Sequence, residues 1–342
     1  MKYTTIHAHP AFKGENRYQA KFQVLDIRKQ ITVLIDVFGK KHMARDKIVS
    51  NATQKKRIDM LHHFIDQLKA RGFHLKRITN LDSRHVQAII SSWKDDALGA
   101  ATISTYFSLM RWLVQCIGKA GMVMEPNVYG LTKDETARTY VASRDKSWSG
   151  NGIDRPEIIA AVQNEDPYPA MCLELMDRFG LRLQEAIMIR PAIAWVGDSL
   201  NIVDGTKGGR PRVVPVRTQK QRDVLSRAIA LASSTFQQSL VPQGKNLKQA
   251  LQRAYYIFKK VGITKATMNI TPHGLRHGYA NDRYEDESGM ASTVRGGHGE
   301  NYDRPKDLAA RKVVSEELGH SRIAITAAYT GARKRGRPTL QK

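Results

Sequence analysis

Cysteine is nearly absent: Cys116 and Cys172 are the only two in 342 residues. Two thiols cannot build a disulfide framework or a cysteine-rich zinc site, so the sequence predicts a chain kept in a reducing compartment. Long apolar runs are missing as well. None approaches the ~18 residues a membrane span needs, and the opening residues, MKYTTIHAHPAFKG, lack the apolar stretch of a secretory signal. Acid is scarce: 32 Asp and Glu stand against 55 Lys and Arg, a net charge of +23. With 41% hydrophobic and 25% charged residues the composition is that of a globular chain. At roughly 150 residues per domain the length predicts about two domains. The excess of base points to a polyanion partner. Nucleic acid is the natural one, because each neutralised phosphate releases counterions.

Residues 1–45 read as an N-terminal extension whose role no motif decides, although mixed apolar spacing over 17–38 predicts a helix ending at Gly39. From 46 to 132 the pattern is helical. Ile58, Leu61, Phe64, Ile65 and Leu68 recur at three- and four-residue steps, as do Val86, Ile89, Ile90 and Trp93, and then Ile103, Phe107, Met110, Leu113, Val114 and Ile117. Such helices with short connections make a small bundle. Bases on their polar faces, among them Lys55, Lys56, Arg57 and Arg111, are candidates for a DNA-facing surface. The polar stretch KDETARTYVASRDKSWSGN, at 133–151, has linker composition and sets the domain boundary at 133–150. Beyond it, from 151 to 342, helices flank a small antiparallel sheet. Trp195-Val196 and Leu200-Ile202 flank the Gly197-Asp198 turn as a hairpin, and Val213, Val214 and Val216 follow as a third strand. The fold class is mainly α with a small antiparallel β-sheet, a helical domain followed by an α+β domain.

Four pieces of the second half carry chemistry. In GLRLQEA (180–186), Arg182 follows a glycine turn with Glu185 one helical step on. In GTKGGRP (205–211), Lys207 sits at a glycine-rich turn that lets a backbone approach a ligand closely. In TPHGLRHGYA (271–280), Thr271 and Pro272 suit a helix start, so His273 and Arg276 share a face near its positive end. In ELGHSRIAITAAYTG (317–331), His320 and Tyr329 are nine apart, opposite one another on an unbroken helix. They converge only if the chain breaks near Gly319, with Ser321 as a new cap. Taken singly, each piece has an ordinary reading as a solvated turn, a capped helix or a core tyrosine.

In order and spacing, Arg182, Lys207, His273, Arg276, His320 and Tyr329 resemble the catalytic set of the tyrosine recombinase, or phage-type integrase, family. The strings GLRLQEA, TKGG-to-VVPV, HGLRH and LGHS carry the resemblance, and ATISTYFSLMRWLVQCIGKAGMVMEPN (101–127) is similar to that family's core-binding domain. It covers roughly residues 50–330. The resemblance implies a core-binding domain at 46–132 and a catalytic domain at 151–342. It also implies a cytoplasmic, nucleoid-associated protein of bacterial or phage origin, acting on double-stranded DNA at specific recombination sites. A homo-tetramer would exchange strands through a Holliday junction, with room for accessory DNA-bending or directionality proteins.

The chemistry can be stated from the side chains. A tyrosine phenol ordinarily titrates near pH 10, so its phenolate is about 4 kcal/mol uphill near neutrality. A cationic pocket offsets part of that and stabilises a pentacoordinate transition state. The planar forks of Arg182 and Arg276 suit two nonbridging oxygens, and His320 can donate a further hydrogen bond there. As the resemblance implies, His273 assists proton transfer at Tyr329, and Lys207 protonates the 5′-hydroxyl leaving group. Tyr329 would become a 3′-phosphotyrosine that keeps the energy of the cleaved bond, so rejoining needs neither ATP nor metal. The six side chains hold no carboxylate pair for Mg²⁺, and no cofactor, metal or membrane partner is expected. The rival readings are a type IB topoisomerase-like strand relaxase and a catalytically silent DNA-binding regulator.

One interval departs from the family. Arg276 and His320 are 44 residues apart, about twice the usual distance, and 281–306 carries Asp282, Glu285, Asp286, Glu287, Glu300 and Asp303. This acidic insertion reads as a solvated surface loop, or as a protomer-contacting or regulatory one. The tail 330–342 is basic. Its ARKRGRP is similar to a minor-groove AT-hook core, but a match this short is weak, and the tail reads more readily as a basic end touching phosphate or a neighbouring protomer. Arg333, Lys334, Arg335 and Arg337, with Arg210 and Arg212 beside the glycine turn, complete the candidate DNA contacts.

Overall fold

Several helices begin where the sequence places an acceptor side chain ahead of an apolar repeat. In the computed structural model, which describes residues 5–6, 22, 24–40, 48–235, 237–297 and 302–333, the chain divides into two units between Thr139 and Tyr140. In the first unit Asp26 accepts from the amides of Arg28 and Lys29 and starts α1 (Ile27–Phe38). Ser50 does the same for α2 (Asn51–Ala70), and Asp82 with His85 caps α3 (Ser83–Asp95) reciprocally. Then come α4 (Ala100–Cys116) and a single turn, α5 (Lys133–Thr136). One buried core joins Ile31 and Leu34, Leu61 and Phe64, Ile90 and Trp93, and Phe107 and Leu113. At its centre the rings of Phe64, Trp93, Tyr106 and Phe107 meet at centroid distances of 5.1 to 5.7 Å.

Two expectations for this half change. The segment read as an extension contributes α1 to the core over Ile27–Phe38, because Ile27, Ile31, Leu34 and Ile35 form one apolar face, while residues 17–21 and 23 of the expected helix lie outside the described residues. Buried Gln30 ties it down, accepting from the Ile78 amide at 2.9 Å and donating to the Leu25 carbonyl at 2.8 Å. Arg57, expected on a DNA-facing surface, is only 8% exposed. It donates to the Gly39 carbonyl at 2.6 Å and lies 5.9 Å over the Trp112 ring. A guanidinium can satisfy a carbonyl and an aromatic face at once, and the core uses it so.

In the second unit Asp154 caps α6 (Arg155–Glu165), accepting from the Glu157 amide with Pro156 in the first turn. Next follow α7 (Pro167–Phe179), α8 (Leu183–Met188) and α9 (Pro191–Ala194). Strands β1 (Trp195–Val196), β2 (Ser199–Ile202) and β3 (Arg212–Pro215) form an antiparallel sheet in that order, with Val196 opposite Ser199 and Leu200 opposite Val214. The rest is helical: α10 (Gln219–Ala232), α11 (Leu247–Val261), α12 (His273–Ser288), α13 (Arg304–Glu317) and the one-turn α14 (Ala327–Thr330). The mainly α architecture with its small antiparallel sheet is as expected. α12 is buried along most of its length and joins α7, α13 and the sheet in one core.

The expected linker extends too far. Trp148 is fully buried and its indole donates to the Thr271 carbonyl at 2.8 Å. Gly274 lies so close that a Cβ there would stand 2.7 Å from the Trp148 ring. Polar neighbours bond one another: Asp145 accepts from the Ser147 amide at 2.8 Å, and Ser147 Oγ from the Gly150 amide at 3.0 Å. A compact turn around one aromatic has no period to detect.

The described part of the acidic insertion is likewise built structure rather than a solvated loop. Residues 281–288 prolong α12, Thr293–Arg295 form a 3₁₀ turn, and Asp303 caps α13. Arg295 pairs with Asp145, Asp282 and Glu285, and Arg283 with Asp286 and Glu287. Intramolecular arginines, absent from the reading of the acids alone, account for the charge.

Candidate active site

α12 is the platform. His273, Arg276, His277 and Asn281 recur at three- and four-residue steps and so share a face. Gly180, in a left-handed conformation (φ 60°), ends α7 and turns its carbonyl to Arg276; a Cβ there would meet the Tyr279 ring at 2.4 Å. After α13 the chain breaks at Gly319 (φ 66°), as the nine-residue interval requires. A 3₁₀ turn, Ile323–Thr326, then leads into α14, which carries Tyr329. Neither expected hydroxyl cap forms: the 3₁₀ turn starts at Arg322 without Ser321, and α12 starts after Pro272 without the Thr271 side chain.

Arg276 has no exposed surface. It donates from Nη1 to the Gly180 carbonyl, from Nη2 to the Leu318 carbonyl at 2.6 Å, and from Nε to the Tyr329 hydroxyl at 3.3 Å. Tyr329, 7% exposed, is enclosed by imidazoles. The His320 ring stacks on it at 5.4 Å, His277 lies at 4.7 Å and His273 at 6.0 Å. Asn281 reaches the Tyr329 carbonyl at 3.5 Å. Five of the six expected residues therefore converge within this unit, Arg182 through an acid. Buried Glu185 accepts from Arg182 Nη1 at 2.6 Å, chelates Arg212 at 2.9 and 2.7 Å, and lies 3.9 Å from Arg276 Nη1.

Lys207 is not in the cluster. It sits exposed on the β2–β3 connection, and its side chain makes no hydrogen bond or ion pair among the described residues. The connection itself is held beside the site: Gly205 (φ 71°) lies against the Gln184–Glu185 backbone, where a Cβ would stand 2.8 Å from the Gln184 carbonyl.

Sequence reasoning missed three groups. Arg212, expected to contact DNA, is buried and spent on Glu185 and on the Glu317 carbonyl at 2.7 Å. A buried carboxylate needs such a bidentate partner, which a solvent-facing reading of β3 does not anticipate. His277 and Asn281 were given no role, although their four-residue steps from His273 mark them for the same face. Among the other candidates, Lys55, Lys56 and Arg210 are exposed. Arg111 pairs with Glu125 at 3.0 Å, and Arg333 lies 4.8 Å over the Tyr302 ring. Lys334, Arg335 and Arg337 lie outside the described residues.

The electrostatics separate the roles. Burial alone would raise the Glu185 pKa, but Arg212 and Arg182 outweigh it and hold the carboxyl at about 2. Burial lowers Arg276 to about 10, still charged at neutrality. Burial together with Arg276 and Arg182 lowers His273 to about 4 and His320 to about 3. His277, buried beside His273, falls to about 3. The imidazoles are thus neutral near pH 7, able to accept a proton, while the guanidiniums carry the charge. Among the described residues the Nδ1 atoms of His277 and His320 and Asn281 Oδ1 are buried without a partner.

A phenol held by a buried guanidinium among neutral imidazoles is equipment for nucleophilic attack on an anionic ester. Comparison with known proteins names the class. Residues 141–282 match the family described as Integrase, and residues 39–123 match Phage integrase, N-terminal. The chain is 26% identical to tyrosine recombinase XerC of Agrobacterium fabrum over 272 residues, 75% of each chain. To XerC of Pseudomonas fluorescens it is 24% identical, over 84% of this chain and 88% of that one. Its fold is similar to a lambda integrase solved as a tetramer bound to a Holliday junction, with TM-score 0.59, 12% identity, and coverage of 96% of this chain and 85% of that one. The chain belongs to the tyrosine recombinase family. Its activity is site-specific DNA recombination, and neither the relaxase nor the silent regulator is favoured.

Proposed function

We propose that Tyr329 is the nucleophile of this recombinase and that Arg182, Arg276 and His320 hold the scissile phosphate. The observation that carries the reading is the 3.3 Å contact from Arg276 Nε to the Tyr329 hydroxyl inside one buried pocket. Tyr329 Oη bonds to phosphorus and the bond to the 5′ oxygen breaks. The phenol proton passes to His273, and Lys207 gives a proton to the departing 5′ oxygen. A 5′ hydroxyl from the partner strand then attacks the 3′-phosphotyrosine and releases Tyr329. One phosphodiester is exchanged for another, so neither ATP nor metal is consumed. Glu185 and Arg212 position the two guanidiniums. Because nucleophile and cations come from one chain, each protomer cuts the strand it binds.

Double-stranded DNA carrying specific sites is the partner this reading requires, and two duplexes require four protomers. Lys55, Lys56 and Arg210 are exposed bases able to meet phosphate, with accessory bending or directionality proteins acting beyond the chain. A cytoplasmic, nucleoid-associated location fits a DNA substrate, and no helix among the described residues is long and apolar enough to cross a membrane. The test is a nicked suicide duplex bearing the protein's own flanking site. Wild type accumulates a covalent adduct and Tyr329→Phe binds without forming one; a robust adduct from the variant removes the assignment. Two marked duplexes converted to a four-way junction separate exchange from relaxation.

A further inference from the structure

α14 has four residues, too few to hold a helix by itself. The position of Tyr329 is therefore set by what grips the segment from outside. The Ala142 amide donates to the Ala327 carbonyl at 2.8 Å, and Arg311 Nη1 donates to Thr330 Oγ1 and the Gly331 carbonyl at 2.9 and 3.0 Å. Besides these, and the contacts of Asn281 and Arg276 with Tyr329, a further grip comes from the inserted chain. Gly331 (φ 73°) lies so close to the 291–297 turn that a Cβ there would stand 3.0 Å from Thr293 Cβ and 3.1 Å from Val294 Cγ1.

That turn is fastened in its own right. Its Arg295 donates from Nη1 to Asp282 at 2.8 Å and Glu285 at 3.0 Å, both on α12, and from Nε to Asp145 at 3.0 Å. Within it the Gly297 amide closes onto the Ser292 carbonyl at 2.9 Å, and the Ser292 amide reaches Glu285 at 3.4 Å. The arginine thus ties the turn both to the helix that carries Arg276 and to the segment that precedes Trp148.

We infer that the 291–297 turn, latched by Arg295, is a strap that holds the nucleophile segment against the phosphate pocket of the same protomer, with Arg295 as a positioning residue. The inference rests on Tyr329 being the nucleophile. It assigns to the described part of the insertion the work of fixing Oη within reach of phosphorus, where a displacement near 1 Å costs on the order of 100-fold in rate.

The test separates the strap from the pocket it serves. Adduct formation on the nicked duplex reads both together. In a Tyr329→Phe background, hydrogen peroxide supplied as substitute nucleophile reads the cationic pocket alone, since hydroperoxide attacks phosphorus and expels the 5′ oxygen without the phenol segment. Arg295→Ala is expected to slow adduct formation roughly 10- to 100-fold, while leaving DNA affinity and peroxide-driven cleavage within about twofold. Val294→Ala, which trims the contact with Gly331 and keeps the latch, is expected to give a smaller loss of the same kind. An unchanged adduct rate in Arg295→Ala overturns the strap, and so does an equal fall in adduct and peroxide cleavage, which would mean general loosening. Absence of any wild-type adduct would instead remove the nucleophile assignment on which the strap depends.

Discussion

The pocket around Arg276 and the turn that carries Lys207 belong to the same unit and are built in opposite ways. Arg276 is sealed, with two backbone carbonyls, one phenol and one carboxylate around its fork. Lys207 stands in solvent, with no side-chain partner among the described residues. Charge that must stabilise a transition state works best when fixed beforehand, because no reorganisation is then needed during reaction. Under the proposed role, Lys207 meets a leaving oxygen that arrives with the DNA, and only the base of its turn, Gly205 against Glu185, is fixed in advance. The pocket is protein-made; the proposed acid is completed by substrate.

The largest effect should come from the centre of the sealed side. Tyr329→Phe is expected to drop adduct formation below detection on the suicide duplex while DNA binding stays within about twofold by gel shift. Next comes Arg276→Lys, which keeps a charge but loses the planar fork. The expected loss is about 100- to 1,000-fold in single-turnover cleavage. A lower melting temperature should accompany it, since the Gly180 and Leu318 carbonyls lose partners. If the Arg276→Lys variant cleaved at the wild-type rate, preorganisation would not distinguish the two regions.

On the open side, Lys207→Ala is expected to slow cleavage about 100-fold or more with no change in melting temperature. A substrate whose 5′ oxygen is replaced by sulfur, which leaves without a proton, should restore most of the rate. Failure of that rescue would deny Lys207 the role of acid. A fourth comparison sets buried against exposed bases. Arg212→Ala is expected to cost about 3 kcal/mol of stability, because buried Glu185 loses its bidentate partner and keeps only Arg182 and the more distant Arg276. Its loss should leave the salt dependence of DNA binding unchanged. Lys55→Ala should do the reverse, lowering the salt slope by about one and leaving stability alone.

The smallest effect concerns pH. The His273, His277 and His320 imidazoles bind protons less readily in the folded chain than in the unfolded one. The unfolded state therefore takes up more protons between about pH 6.5 and the folded values of about 4 and 3, so stability is full above pH 6.5 and falls as pH drops through that window. Melting temperatures of the DNA-free protein should decline from pH 7 to pH 5, and less steeply in His277→Gln. Identical profiles for the two proteins would place His277 outside the protonation-sensitive set.

Much of the chain was legible because its pieces are local. Asp154 before α6, the Gly197-Asp198 turn and the break at Gly319 each depend on a few consecutive residues, and periodicity alone marked α2, α3 and α4. What was not legible depends on distant partners. Arg57 and Arg212 look like DNA contacts until Trp112 and Glu185 are beside them. Asp282 and Glu285 look like a solvated acidic loop until Arg295 is placed between them, and Trp148 looks like part of a linker until Thr271 accepts its indole proton.

The sequence alone determined the types and order of the chemical groups, since charge, helical spacing and glycine conformation are properties of residues and their near neighbours. Which arginines face solvent, which imidazoles stay neutral, and what grips a four-residue helix were decided only by tertiary structure. Burial and the partners met across a hundred residues set the free energy of a charge, and no local pattern encodes them.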